Sequence, residues 1–203
     1  FVGPGPEWQS LVQALPVGVR MGYWRVPGEP RCLLVDAGGL KAAQDGILSE
    51  YWERYRLDSL FGGWDYVEPL LFSHAAGLVI ATLATGFLRP RGIRAVVHCH
   101  EWMSCGAILQ LRTAAPDAAT VFTTHATVLG RALASRGGEV PPSVLPEPPG
   151  LLARSIGVGA KHSMEVVGAR LADCFSTVSA TTAEECAVFL GKAPDVVLLN
   201  ALG

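Results

Sequence analysis

Two short apolar runs, each ending in polar residues and each followed by a helical pattern, constrain the fold of this chain more than any other feature. They lie within residues 93–106 and 119–131, and both are rich in valine or threonine. β-Branched residues of this kind favour strands. Strand and helix patterns alternate through the second half of the chain, which is typical of βαβ units. The sequence therefore predicts an α/β fold with a doubly wound, mostly parallel sheet.

The polar residues that end these two runs predict where a ligand binds. His100 and Glu101 follow the first run, and His125 follows the second. In open α/β sheets, ligands bind in the crevice beyond the carboxyl ends of the strands. We therefore expect these three residues to meet at a single hollow that solvent can reach.

The rest of the pattern divides the chain into further elements. Helices are predicted over residues 7–15, 41–60, 68–88, 102–113, 126–135, 155–172 and 181–190, and strands over 19–26, 31–36, 93–98, 119–124, 173–178 and 196–199. The run at 31–36 is apolar, which is typical of a strand covered on both faces. Residues 136–150 hold five prolines and predict an exposed loop or lid. Residues 1–4 are expected to end a strand.

The composition narrows the class of protein. The chain of 203 residues is 50% hydrophobic and 17% charged, which suits one domain with a well-buried core. Its net charge of −2, without a basic block, argues against a nucleic-acid surface. The apolar stretch 75–88 is shorter than the roughly 20 residues that span a bilayer. It therefore predicts a buried core helix, and no membrane is expected as a partner.

Cysteine usage and the chain ends suggest a cellular context. The five cysteines form an odd set without a C-x-x-C pair, which predicts reduced thiols and a cytoplasmic protein. The first residues lack the basic-then-apolar order of a secretory leader. The chain does not begin with methionine and ends directly after a strand-like run, so we expect it to be part of a longer protein.

Each candidate site residue also has a structural interpretation. The Glu101 carboxylate can accept hydrogen bonds from sugar hydroxyls beside the apolar wall of Trp102, but it can equally stabilise the positive end of a helix while Trp102 packs in the core. His125 precedes a helix start, where free N–H groups bind anions or polar substrates. It can equally be a histidine satisfied within a tight turn. Arg131 lies on a different side of an ideal helix, so only a splayed first turn brings it to the ligand of His125.

Three other chemistries are excluded by missing signals. No G-x-S-x-G turn follows any strand, which argues against a serine hydrolase. The Gly157-Val-Gly159 sequence lacks a third glycine and follows no strand, so a dinucleotide fingerprint is absent. His98, Cys99 and Cys105 lie near His100, but further ligands at zinc-like spacing are missing. No metal is therefore expected.

Several motifs of this chain occur in the order in which a known protein family has them. They are His100-Glu-Trp102, Phe122-Thr-Thr-His-Ala-Thr-Val-Leu-Gly-Arg131, Lys161-His-Ser-Met-Glu165, Ala172-Asp-Cys-Phe-Ser-Thr-Val-Ser179, and Lys192-Ala-Pro-Asp195 with Asn200. In order and spacing they resemble the glycogen synthases of the animal and fungal type. The resemblance covers most of the chain from about residue 19, including Gly22-Tyr-Trp-Arg25 and Cys32-Leu-Leu-Val-Asp36. Its most specific part is the Thr-Thr-His-Ala-Thr block.

The resemblance implies one half of a two-domain glycosyltransferase of the GT-B architecture. Residues 1–203 then form the amino-terminal Rossmann-like domain, incomplete at both ends, and the nucleotide-binding second half lies outside the chain. In this family glucose passes from a nucleotide-diphosphate sugar, UDP-glucose or ADP-glucose, to the non-reducing end of an α-1,4-glucan with retention of configuration. The expected partners are this donor and the glucan acceptor, without cofactor or metal. An isolated fragment is expected to be inactive, and a homo-oligomer of the complete protein is left open.

The resemblance also implies roles for single residues. His125 is expected to contact the donor glucose, and Glu101 to lie at the sugar region of the cleft, both as catalytic residues. The expected substrate-binding residues are His100, Trp102, Arg131 and Asn200. Arg131 is placed beside the donor site, and Asn200 at the crossing between the two domains.

Departures from the family pattern keep two alternatives open. The family's glycine-rich turn for the donor phosphates has no counterpart here, its Asn-Gly-Leu-Asn sequence is Asn200-Ala-Leu-Gly203, and Cys105 replaces a glycine. If these are true features, the chain is a non-catalytic glucan-binding or partner-binding module. A different nucleotide-sugar transferase on the same fold is the other alternative, because fold alone does not specify the substrate.

Overall fold

The computed structural model describes residues 6–137 and 145–200, with side chains from residue 10 onward. The predicted strand end at residues 1–4 and the centre of the proline-rich loop, 138–144, lie outside the described residues. The elements follow the predicted alternation closely in the second half of the chain. The strands form two sheets, an antiparallel hairpin and a four-stranded parallel sheet.

The antiparallel hairpin comes first. After helix α1 (Pro6–Gln13), strand β1 (Gly18–Tyr23) pairs with β2 (Arg31–Asp36) in a register that joins Gly18 to Asp36 and Tyr23 to Arg31. Side chains of β2 alternate, so Leu33 packs against the core while Leu34 is exposed. The prediction that 31–36 is covered on both faces is therefore wrong. A two-stranded antiparallel ribbon buries one face and leaves the other to solvent.

The parallel sheet carries the candidate site. Its strands are β3 (Val96–His100), β4 (Ala119–Thr124), β5 (Cys174–Thr177) and β6 (Val196–Val197), in the order β3-β4-β5-β6. All three pairings are parallel. Helices flank this sheet, which confirms the predicted α/β, Rossmann-like fold.

The helices that flank the sheet have these bounds: α2 (Gln44–Tyr55), α3 (Trp64–Leu83), α4 (Cys105–Ala114), α5 (Val128–Ala134), α6 (Pro149–Ser155), α7 (Gly159–Leu171) and α8 (Ala180–Glu185). Helix α3 continues through a π-helical turn, Ala84–Leu88, and α8 through another, Cys186–Leu190. The main core lies between the sheet and α2, α3, α4 and α7. Its centre includes Tyr51, Phe122, Phe175, Ile108 and Met164, all less than 2% exposed.

Helix α3 is the element whose composition raised the question of a membrane span. The stretch Trp64–Arg91 is long and apolar enough to cross a bilayer, but half of its apolar window is buried within the protein. Glycine and alanine let α4 approach closely, since a Cβ on Gly77 would lie 2.6 Å from Cβ of Gln110 and 2.9 Å from Cα of Ala107. The predicted core helix is therefore confirmed.

The proline-rich region ends earlier than predicted. Pro149 and Gly150 belong to α6, because proline without an N–H group is well placed in the first turn of a helix. The helix predicted over 155–172 is α7, which begins later, at Gly159, and α6 before it was not predicted. They are separated at Gly157, whose φ of +79° suits glycine and breaks the helix.

The two faces of the parallel sheet differ in chemistry. Cys99, Phe122 and Phe175 share the face that packs on the helices. On the other face, His98 lies 2.7 Å from the hydroxyl of Thr123, which in turn lies 2.5 Å from the hydroxyl of Ser176. These polar side chains run across three strands towards the carboxyl end of the sheet.

Candidate active site

The carboxyl ends of β3 and β4 open onto a hollow of about 820 Å³. Its walls include Glu101, Trp102, His125, Arg131 and Lys161, and it is called the polar hollow below. The prediction that the segments after the two strands converge on one solvent-accessible hollow is confirmed. Parallel strands in register bring this about, since His100 pairs with Thr123 at the ends of the two strands.

Glu101 holds an unusual backbone conformation at this point. Its φ of 64° and ψ of 160° lie in a region that is almost confined to glycine. The N–H group of Glu101 donates to the carbonyl of Thr123 at 2.8 Å, and its carbonyl accepts from N–H of Ser104 at 3.0 Å. These bonds overdetermine the strained conformation and direct the carboxylate towards the turn that follows β4.

The Glu101 carboxylate joins the two strand ends. Its Oε1 accepts the N–H of His125 at 2.9 Å and lies 3.3 Å from Nη2 of Arg131. Among the hydrogen bonds that the structure describes, none involves Oε2 of this side chain, which is 17% exposed. One oxygen therefore has a structural role, and the other is available for a ligand.

The ring of His125 is oriented by a second histidine. Nε2 of His125 lies 3.0 Å from Nδ1 of His100, so one ring donates and the other accepts. Partial burial, and then the neighbouring His98 and His125, lower the pKa of His100, while Glu101 opposes this shift. The contact between the two rings uses Nε2 of His125, and among the hydrogen bonds that the structure describes none involves its Nδ1.

Arg131 reaches the same hollow as His125, although an ideal helix would separate them. Helix α5 begins at Val128, later than the predicted start at residue 126, so His125 lies in the turn before the helix. The guanidinium of Arg131 then extends back to Glu101. The expectation that only a splayed first turn would bring the two together is wrong: the first turn is regular, with N–H of Arg131 donating to the carbonyl of Thr127 at 2.9 Å, and His125 lies before it.

Glu165 is a functional candidate that sequence reasoning did not assign. From α7, its Oε1 accepts the hydroxyl of Thr124 at 2.7 Å, and its Oε2 accepts N–H of Val128 at 2.9 Å. Its complete burial raises its pKa to about 7, although both hydrogen bonds oppose the shift. A lone acid among the apolar positions of a helix was the signal in the sequence.

The strand-to-helix turn after β4 is thus held by carboxylates of the chain itself. His125 N–H binds Glu101, Val128 N–H binds Glu165, and the Thr127 hydroxyl donates to Glu185 at 2.6 Å. The sequence suggested free N–H groups that would bind an anion here. That suggestion is wrong for these two N–H groups, because the carboxyl groups of Glu101 and Glu165 already accept from them.

Trp102 and Lys161 form the opposite wall of the polar hollow. The Trp102 ring stacks on Tyr66 with centroids 5.9 Å apart, and Lys161 Nζ lies 5.6 Å from the centre of the Trp102 ring. Trp102 therefore packs against the core on one side and faces the hollow on the other. The predicted core packing of Trp102 is thus observed, and its role as a wall for a sugar stays a prediction.

Similarity to known proteins shows the family to which the chain belongs. Residues 9–203 match the profile of the family described as glycogen synthase. The chain belongs to the glycogen synthase family.

Curated glycogen synthases match almost the whole chain. The glycogen [starch] synthase of Neurospora crassa is 29% identical over 201 residues, which cover 97% of this chain and 28% of that protein. The Dictyostelium discoideum protein of that name is 27% identical, with 97% and 22% covered. Isoform 2 of Saccharomyces cerevisiae is 28% identical, with 89% and 25% covered. The chain thus spans about a quarter of the length of these relatives.

Two predicted positions of this glycogen synthase family member lie away from the hollow wall. His100 contacts His125 instead of lining the hollow, and exposed Asn200 lies beyond β6. Packing explains why the glycine that follows His100-Glu-Trp102 is at position 106, with Cys105 at the position where the family has glycine. Gly106 abuts Ser73 and the backbone of His74, where a Cβ would clash, while the side chain of Cys105 is buried.

Proposed function

We propose that the polar hollow holds the glucose of a nucleotide-diphosphate sugar. The complete protein then transfers this glucose to the non-reducing end of an α-1,4-glucan with retention of configuration. The observation that carries the proposal is the convergence of His125 and Glu101, joined by a hydrogen bond of 2.9 Å, on one hollow beyond the strand ends. Membership of the glycogen synthase family supports the same reaction class.

We infer complementary tasks for the two residues. With Nε2 bound to His100, the ring of His125 presents Nδ1 to a sugar hydroxyl. Oε2 of Glu101, for which the structure describes no hydrogen bond, would accept a second hydroxyl. Two fixed groups hold a pyranose ring in one orientation, which lowers the entropic cost of reaching the transition state.

The charge of the departing diphosphate requires further groups. Arg131 is bound to Glu101, and the N–H groups of His125 and Val128 bind carboxylates. We therefore assign most of the phosphate contacts to the second domain of a GT-B enzyme, outside this chain. UDP-glucose or ADP-glucose serves as donor in a cytoplasmic enzyme without a metal.

Replacing His125 with alanine in the complete protein tests the proposal. We expect kcat to fall on the order of 10²-fold, as when a single transition-state donor is removed, with a smaller change in donor affinity. Steady-state kinetics and donor binding by calorimetry separate the two effects. Equal losses in both would show that His125 binds without favouring the transition state. Glucan binding with no donor binding in the wild type would favour the non-catalytic module instead.

A further inference from the structure

We propose that a second hollow beside the first binds the acceptor glucan behind its reacting end. This hollow, called the aromatic trough, is lined by Trp52, Asp58, Phe61, Tyr66, Arg154 and Lys161, among others. Its volume is about 580 Å³, within the range of about 300–1,000 Å³ that is typical of small-molecule sites. The inference rests on the proposed function, because it assigns the acceptor of the same reaction.

Aromatic rings supply the apolar surface of the trough. Phe61 is 81% exposed and Trp52 is 40% exposed, although burial of a phenylalanine side chain is worth about 1.5–3 kcal/mol. The backbone at Phe61 is held in place, since its N–H donates to the carbonyl of Asp58 at 3.1 Å and the neighbouring Ser59 hydroxyl donates to the carbonyl of Leu48 at 2.6 Å. Exposed rings carried by a fixed backbone are suited to the C–H faces of pyranose sugars.

Two ion pairs supply the polar groups. Arg154 donates to both oxygens of Asp58, at 2.7 and 2.8 Å, and Lys161 pairs with Asp65. A guanidinium has five N–H donors, so Arg154 keeps donors for a ligand. Because each cation is matched by a carboxylate, the trough has no net charge from these four groups. Such a site suits an uncharged ligand rich in hydroxyls better than a phosphate or an acidic peptide.

The trough and the polar hollow share a wall. Val158 and Lys161 line both of them. A ligand that reaches both must be extended, and of the two proposed substrates only the glucan is a polymer. With its non-reducing end beside His125, the following sugar units pass over Lys161 towards Phe61.

The test uses the complete protein and acceptors of two lengths. The Phe61→Ala variant is assayed with maltose and with a long linear maltodextrin at saturating donor. We expect KM for maltodextrin to rise about tenfold, which corresponds to the loss of one aromatic contact, with kcat unchanged. The KM values for maltose and for the donor should remain at wild-type levels.

Phe72→Ala is the matched control. Phe72 is 48% exposed on α3 and is not among the residues that line either hollow. This variant should leave all three KM values unchanged. Unchanged maltodextrin KM in Phe61→Ala, or a rise in donor KM instead, would overturn the assignment of the trough to the acceptor.

A binding measurement distinguishes this inference from the proposed function. Calorimetric titration with maltoheptaose needs no turnover and compares wild type with Phe61→Ala. Weaker binding by the variant supports the trough even if the wild type transfers no glucose. If the wild type transfers glucose and both proteins bind maltoheptaose with equal affinity, the trough is not the acceptor site, while the proposed reaction still stands.

Discussion

At the scale of single residues, Glu101 shows that the site has a stability cost. Its backbone lies at φ 64° and ψ 160°, where a side chain costs about 1–3 kcal/mol. The conformation persists because its N–H, its carbonyl and its carboxylate all have partners. A residue strained in this way directs its carboxylate at His125, which an unstrained extension of β3 would not do.

Comparison of Glu101→Gly with Glu101→Ala tests this strain. Both variants lose the bonds to His125 and Arg131, but only glycine adopts the observed φ freely. We expect the glycine variant to be more stable by about 1–2 kcal/mol, the strain less the entropic cost of glycine, in urea denaturation.

Glu53, exposed on α2, provides the control pair. There the order should be reversed, with alanine more stable than glycine by about 1 kcal/mol. Equal stability of the two Glu101 variants would contradict the interpretation of strain.

At the scale of elements, α7 holds the turn between β4 and α5. Glu165 accepts from Thr124 at the end of the strand and from Val128 at the start of the helix. The turn between them carries His125. The position of His125 therefore depends on the buried carboxyl group of Glu165, which is not among the residues that line the hollow.

The raised pKa of Glu165 predicts how stability depends on pH. Folding raises this pKa from 4.5 to about 7, so the folded state keeps a proton that the unfolded state releases. The contribution of Glu165 is complete below pH 4.5 and is lost as the pH rises to about 7. Glu165→Gln cannot ionise, and its amide can donate to Thr124 and accept from Val128. Relative to wild type, this variant should gain about 3 kcal/mol between pH 4 and pH 8.

Urea denaturation across this pH range measures the difference between the two proteins. Titration of the histidines occurs in both and cancels. A difference that does not change with pH would show that Glu165 has an ordinary pKa. Glu165→Ala, which loses both bonds, should be less stable than Glu165→Gln at every pH.

At the scale of the whole molecule, close helix packing makes the sheet a rigid support. Gly77 of α3 faces α4, and Gly168 of α7 faces Cys105. Small residues let these helices approach closely, and the same helices position Trp102 and Glu165. Precision at the hollow therefore depends on packing some distance from it.

Gly77→Ala tests this packing. Alanine favours helices by about 1 kcal/mol, but its Cβ would lie 2.6 Å from Cβ of Gln110, so overpacking should give a net loss of about 1–3 kcal/mol. Gly46→Ala in α2 is the control, because nothing lies within 4 Å of its added Cβ. It should raise Tm where Gly77→Ala lowers it, as measured by thermal denaturation. A rise in both would contradict close packing.

Sequence patterns predicted the parallel sheet and the meeting of Glu101 with His125, because strand ends in register place following residues together. They did not predict the role of Glu165, which depends on a contact between residues 124 and 165. The trough was also missed. It is formed by residues 52–66 together with residues 154–161. The periodicity of hydrophobic residues predicts local helices and strands but not contacts between segments so far apart in the chain.

Lys161 and Glu165 leave α7 four residues apart, and hence from the same side of that helix. One side chain lies between the two hollows, and the other anchors the loop that bears the imidazole. The same helix therefore contributes to the walls of both hollows and to the turn that bears His125. A substitution that shifts α7 is thus expected to alter the binding of both the polysaccharide and the activated sugar, whereas Phe61→Ala, which lies off this helix, alters only the former.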